Sequence, residues 1–163
     1  EFTNPLTKRH YLLKDRLIEW DGKVARMEIA FDTTESEIEK QQLKFTLEAE
    51  KTITECIGIL YRENGVSTAI IEVLRKLGNF LSAERTYIIY IKDELMYNDY
   101  EWCAENIISQ KNTLQGIPLA MIDRWIPYFK NDKCVIIENL EEIKEISLEE
   151  YEILDSQSIT SLV

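Results

Sequence analysis

Near residue 34 the hydrophobic pattern of this chain changes period. Over the first 32 residues apolar and polar side chains alternate. From Glu35 to about Glu63 there is no proline and no alternation, and only Gly58 interrupts a run of good helix formers. Alternation puts successive side chains on opposite faces of a strand, whereas a helix stacks residues three and four apart on one stripe. Neither segment can continue the other, so a β-element must hand over to a long helix here.

Within the alternating part, Tyr11 to Trp20 reads as one strand, interrupted by charge at Lys14, Asp15 and Arg16, and Lys23 to Asp32 reads as a second. Asp21-Gly22 between them is a dipeptide that tolerates positive φ and closes a hairpin. A lone hairpin is marginal in water, so this one is expected to be the end of a larger sheet. In the helical part, Thr34 and Glu37 have capping-box spacing. Ile38, Gln42, Phe45, Ala49, Ile53, Cys56 and Leu60 recur at steps of four and three, with one extra four between Ala49 and Ile53. That is the pattern of a coiled-coil seam with a local stutter, and it implies a parallel homodimer through residues 35–63. The alternative is a helix that packs on its own domain.

Asn64-Gly65 breaks this helix, and Ser67 is positioned to cap the next one. Ile70, Leu74, Leu77 and Leu81 mark the buried face of that helix. Tyr87 to Ile91 is apolar enough for a central strand. Lys92-Asp93-Glu94 turns the chain, and Tyr97 to Ile107 reads as the pairing strand. A helix is expected from Pro118, as its first-turn residue, through Ile122, Trp125, Ile126 and Phe129. A strand over Cys134–Ile137, a helix from Ser147 or Leu148 to about Gln157, and a strand over Ile159–Val163 complete the order. The fold class is α+β with one antiparallel sheet flanked by helices.

Composition narrows the functions. The net charge is −11, with 30 acidic and 19 basic residues, which opposes nonspecific nucleic-acid binding and attraction to anionic lipid. The acidic runs at Glu35-Glu37-Glu39 and from Glu141 to Glu152 read as solvated faces or helix starts, with a divalent-metal cluster as the alternative. No apolar run approaches the ~20 residues of a membrane span, and the first residues show no signal-peptide pattern, so a cytosolic setting is the default. The missing initiator Met suggests an excised piece. Cys56, Cys103 and Cys134 form no C-x-x-C pair and lie far in sequence from His10, the one histidine, which reads as reduced thiols without zinc. There is no Walker loop, nucleophile elbow or H-E-x-x-H motif, and no nucleophile with a paired base. The expectation is no enzyme, no metal and no cofactor.

Two stretches resemble known families. Tyr11 to Gly22, followed by Ala25 to Thr34 with its Asp32-x-Thr34 signature, resembles the last strands of a PAS domain and the exit into a signalling helix. Tyr100-Glu101-Trp102-Cys103-Ala104-Glu105-Asn106-Ile107, with Ile117-Pro118-Leu119, Trp125 and Cys134 to Asn139, is similar to GAF domains of bacterial sensors, as is Ser82-Ala83-Glu84-Arg85 before the first strand. The resemblance implies the end of a PAS domain over 1–34, a signalling helix over 35–63 and a C-terminally incomplete GAF domain over 64–163. It implies a sensory region that couples ligand sensing or dimerisation to an output domain such as a diguanylate cyclase, phosphodiesterase or histidine kinase. A GAF pocket over the sheet would take its wall from Tyr97, Trp102, Trp125 and Phe129, although core packing explains any one of these aromatics as well. A small-molecule ligand is the expected partner there, and no cyclic-nucleotide motif is visible. The alternatives are a ligand-free dimerisation scaffold and, remotely, a GAF-type reductase of free methionine sulfoxide using its cysteines.

Overall fold

In the computed structural model, which describes residues 2–62 and 65–163, the expected hairpin forms from β2 (His10–Trp20) and β3 (Lys23–Asp32). Asp21 (φ 52°) and Gly22 (φ 68°) supply two successive left-handed residues, so the turn twists as the strands do. Asp15 and Glu28 fall directly opposite each other in register. Arg26 resolves that repulsion by donating to both, each at 2.8 Å. A short strand that the sequence reading lacked, β1 (Phe2–Thr3), pairs with the start of β2 and gives the sheet order β1-β2-β3. Asn4 makes its turn, its Oδ1 accepting from the backbone N–H groups of Leu6 and Thr7.

Helix α1 (Thr34–Arg62) runs for 29 residues. The expected capping box between Thr34 and Glu37 does not form, because Thr34 is already inside the helix. Asp32 takes the role: its Oδ1 accepts from the Thr34 N–H at 3.0 Å and the Thr34 hydroxyl at 2.6 Å, and these bonds hold its carboxyl below the usual carboxylate range. The Thr34 hydroxyl in turn accepts from the His10 N–H at 2.9 Å, tying the helix start to β2. Of the seam positions, Ile38, Phe45, Ile53 and Leu60 are exposed and Cys56 is buried. The expected helix end at Glu63 and the break at Asn64 lie outside the described residues. The chain forms two compact units, Glu1–Glu55 and Cys56–Val163, and the division falls within α1.

In the second unit, α2 (Val66–Leu81) starts from Gly65 in extended conformation without a side-chain cap. Ser67 lies inside the helix with its Oγ 3.2 Å from the Tyr100 hydroxyl, so it is not the cap the spacing suggested. Ala69, Leu74 and Gly78 are the buried positions of α2, while Leu81 is half-exposed. Strands β4 (Arg85–Lys92), β5 (Leu95–Cys103) and β6 (Gln115–Pro118) make an antiparallel sheet in the order β4-β5-β6. The central strand is therefore β5, and the apolar run Tyr87–Ile91 lies at an edge, contrary to the sequence reading. Pairing sets this, since only β5 has a neighbour on each side; within the run Ile88 and Tyr90 are exposed while Tyr87 and Ile89 are half-buried.

β5 stops at Cys103 rather than Ile107, since Ala104 donates its N–H to Glu84 O and Asn106 turns left-handed at φ 65°. Pro118 ends β6 instead of starting an α-helix. A 3-10 segment follows over Leu119–Trp125, with Ile122 out of helical geometry, before the single turn of α3 (Ile126–Phe129). The strands expected at Cys134–Ile137 and Ile159–Val163 reduce to one bridge, in which Ile137 and Leu162 exchange two backbone bonds of 2.8 Å. Val135 and Ile137 are still buried with Leu140, Ile143 and Leu154, so their alternation served a core and not a ladder. Helix α4 (Leu148–Asp155) begins where expected, with the Ser147 hydroxyl accepting from the Glu150 N–H, and ends two residues short of Gln157.

Candidate functional site: an apolar cavity over the second sheet

A cavity of about 400 Å³ lies on the inner face of the second sheet, wholly within the Cys56–Val163 unit. Its floor is the inward set of strand residues, Tyr87, Ile89 and Ile91 from β4 with Met96 and Ile117 from β5 and β6. Leu114, whose backbone O accepts from the Asn98 N–H at 2.8 Å, joins them from the loop before β6. Its walls come from the 3-10 segment and α3 (Ile122, Trp125, Phe129), from Cys134 and Val135, and from α4 and its exit (Ile153, Leu154, Gln157). The lining includes no Asp, Glu, Lys, Arg or His.

The wall is held by an ion pair whose acid is buried and whose base is partly exposed. Glu150 on α4 is 0% exposed, and its carboxylate accepts from Arg124 at 2.6 and 3.0 Å and from the Trp125 indole N–H at 2.7 Å. The Glu150 bond holds the Arg124 guanidinium above its ordinary pKa. Because the indole N–H is committed to Glu150, Trp125 presents no free polar group of its own. Its ring meets Phe129 edge-on, with centroids 6.3 Å apart.

Polar groups are few and specific. Burial pushes the Tyr87 hydroxyl pKa up, so it stays a neutral phenol. The Gln157 side chain is 6% exposed; its Nε2 donates to Ile153 O at 2.8 Å, and its Oε1 has no hydrogen-bond partner. Asn98, 1% exposed, makes its bonds through its backbone, and neither atom of its side-chain amide is paired. Arg85 does not line the cavity; its Nη2 donates to the Gln157 backbone O at 2.7 Å.

Of the four aromatics expected to form a pocket wall, Trp125 and Phe129 do so. Tyr97 and Trp102 do not. They lie on the opposite face of the sheet, where Tyr97 meets Tyr90 with ring centroids 6.3 Å apart. Trp102 fills the space left by Gly78 on α2, where an added Cβ would come within 2.2 Å of its ring. Strand parity decides this for Tyr97, since Met96 faces the cavity. Trp102 shares the parity of Met96, and the register shift opposite Ile88 and Ile89, which skips Asp99, turns it to the other face. The sequence reading missed Tyr87, Ile89 and Ile91, although their alternation with Ile88 and Tyr90 was visible. It also missed Leu114 and Gln157, which no local pattern marks.

The thiols are dispersed in environment. Cys134 is exposed at the cavity wall, Cys56 is buried, and Cys103 is partly buried with its pKa raised by burial and then by Glu101. Among the described residues no group of three or more His, Cys, Asp or Glu side chains is placed to hold a metal ion. No helix there is long and apolar enough to cross a membrane. No protein-family model matches the chain, and the comparison with curated proteins found no match.

Proposed function

We propose that this chain is a sensory part of a cytosolic signal-transduction protein, in which the Cys56–Val163 unit binds a small, largely apolar molecule. The observation that carries this reading is the cavity of about 400 Å³ over the second sheet, lined by apolar side chains and a few polar ones. Ligand sites have this make-up, an apolar body with a small number of placed polar groups. The resemblance of residues 1–34 to the end of a PAS domain, and of residues 64–163 to a GAF domain, supports a regulatory role. Absence of turnover, and of nucleic-acid or membrane binding, belongs to the same proposal. Titration of the chain with propylbenzene, followed by the change in its tryptophan fluorescence, tests it. Saturable binding that Ile89→Trp abolishes without loss of helical circular dichroism is expected. No saturable binding of any apolar probe of this size to the folded chain would remove the reading.

Self-association through α1 is the second element of the proposal. The residues Ile38, Leu43, Phe45, Leu47, Ile53, Ile57 and Leu60 leave a broad exposed apolar arc along this helix. Such an arc is stabilised by a partner helix. A second copy in parallel is the partner proposed. Sedimentation at micromolar concentration should show a dimer that Ile53→Asp weakens; a monomer unaffected by that change rules it out.

A further inference from the structure

We propose that the cavity selects a neutral ligand whose apolar body carries one hydrogen-bond donor, and that this donor is read by Oε1 of Gln157. The inference rests on the binding reading above and adds the chemical class of the ligand.

Orientation of the Gln157 amide is the first step. A side-chain amide offers two donors on nitrogen and an acceptor on oxygen, and the two ends are told apart by their partners. Ile153 O, 2.8 Å from Nε2, accepts only from nitrogen. The amide is thereby fixed, and the atom left without a partner is the acceptor, Oε1. Gln157 is 6% exposed and lines the cavity. An acceptor so buried costs free energy unless a donor reaches it. Leu162, Val163, Leu154 and Ile153, the neighbouring lining residues from the same end of the chain, bring no side-chain donor.

Charge is the second step. No Asp, Glu, Lys, Arg or His side chain lines the cavity, and Tyr87 stays a neutral phenol there. An ion brought into such a site would lose its hydration without gaining a counter-charge, which is strongly unfavourable. Arg85 is the competing consideration, since its Nη1 is buried and without a partner. Its Nη2 already donates to the Gln157 backbone, however, and the residue lies outside the lining. A neutral donor such as a phenolic or alcoholic O–H, or an indole-type N–H, fits both steps; a carboxylate fits neither.

A matched series on the whole chain tests this: 4-propylphenol, 4-propylanisole, propylbenzene and 4-propylbenzoate at pH 7.5, measured by isothermal titration. The phenol should bind roughly tenfold more tightly than the anisole or propylbenzene, the loss expected for one hydrogen bond to a buried acceptor. The benzoate should bind most weakly. Gln157→Leu should bring the phenol down to the anisole's affinity while keeping propylbenzene binding, which also reports that the variant folds. If Gln157→Leu does not fold, the unaltered chain still decides through the series itself. Equal binding of phenol and anisole overturns the donor assignment and leaves the cavity reading standing. Tightest binding by the benzoate overturns neutrality and points to Arg85. Failure of all four, propylbenzene included, removes both the inference and the reading beneath it.

Discussion

Both sheets turn on a two-residue loop with positive φ at both positions, Asp21-Gly22 in the first and Asp93-Glu94 in the second. Both are three-stranded and antiparallel. Yet no described residue of 2–55 is buried, whereas β5 alone holds two buried side chains, Met96 and Asn98. Leu17, Trp20 and Val24 of the first sheet are 74%, 71% and 79% exposed. Local rules suffice to shape a hairpin: turn chemistry, alternation and a charged trio such as Asp15, Arg26 and Glu28. They do not give it a core. The second sheet differs because α2 covers one face and the segment after β6 roofs the other. Stability should therefore be concentrated in the second unit.

Paired truncations probe that difference most strongly. Met96→Ala should cost about 2–4 kcal/mol, as for other buried large-to-small changes, while Leu17→Ala should stay within about 0.5 kcal/mol. Urea denaturation followed by tryptophan fluorescence measures both; equal costs would erase the contrast between the sheets. Next in size is Glu150→Ala, which strands the Trp125 N–H and the Arg124 guanidinium. Arg124 is one-third exposed and can turn to water, so the expected loss is about 2–3 kcal/mol, below that for a fully buried pair. A loss near zero would mean that the wall of the cavity stands without its ion pair.

Gly78→Ala places a methyl group against the Trp102 ring and should lower stability by about 1–3 kcal/mol, the usual cost of overpacking. Thermal unfolding read by near-ultraviolet circular dichroism of the tryptophans would show it. An unchanged midpoint would mean that α2 is free to move off the sheet. The smallest effect lies at the start of α1. Asp32 has its folded pKa lowered, chiefly by the Thr34 hydroxyl, so its contribution is complete above the ordinary carboxylate range and is lost as pH falls through the lowered value. The Thr34 amide resonance should follow that titration while the amides of β5 do not; a Thr34 amide indifferent to acid would contradict the bonding at Asp32.

How much of this was legible in the sequence follows the same division. The hairpin of β2 and β3, its Asp21-Gly22 turn, the long helix and the Ser147 cap are local, and each could be read from neighbouring residues. The edge position of β4 could not, because Tyr87–Ile91 is as apolar as a central strand and only the pairing of β5 with β6 reveals which strand lies between. β6 itself is four residues containing Gly116 and Pro118, too short to carry a period. In the cavity, Trp125 and Phe129 were found through the pocket position that the GAF resemblance implies, while Tyr97 was lost to strand parity and Trp102 to the register shift in β5. Leu114 and Gln157 reach the site from a loop and from beyond a helix end, where sequence gives a residue no direction. Ser67 and Thr34 were misplaced by one or two positions, which is enough to move a hydroxyl from cap to helix interior.

The Asp93-Glu94 turn has a consequence beyond closing a hairpin. Neither residue is glycine, yet both sit in the left-handed region, at φ 51° and 60°. L-residues with a Cβ adopt that conformation at a cost, so this corner holds elastic tension that its surroundings restrain. One restraint is visible: Glu94 O accepts from the Leu119 N–H at 2.8 Å, which pins the first residue of the 3-10 segment to the turn. The protein is thus less stable here than its own architecture permits. Replacing Glu94 with glycine would slacken the corner without disturbing the bond, and would show how far the molecule lies from its optimum.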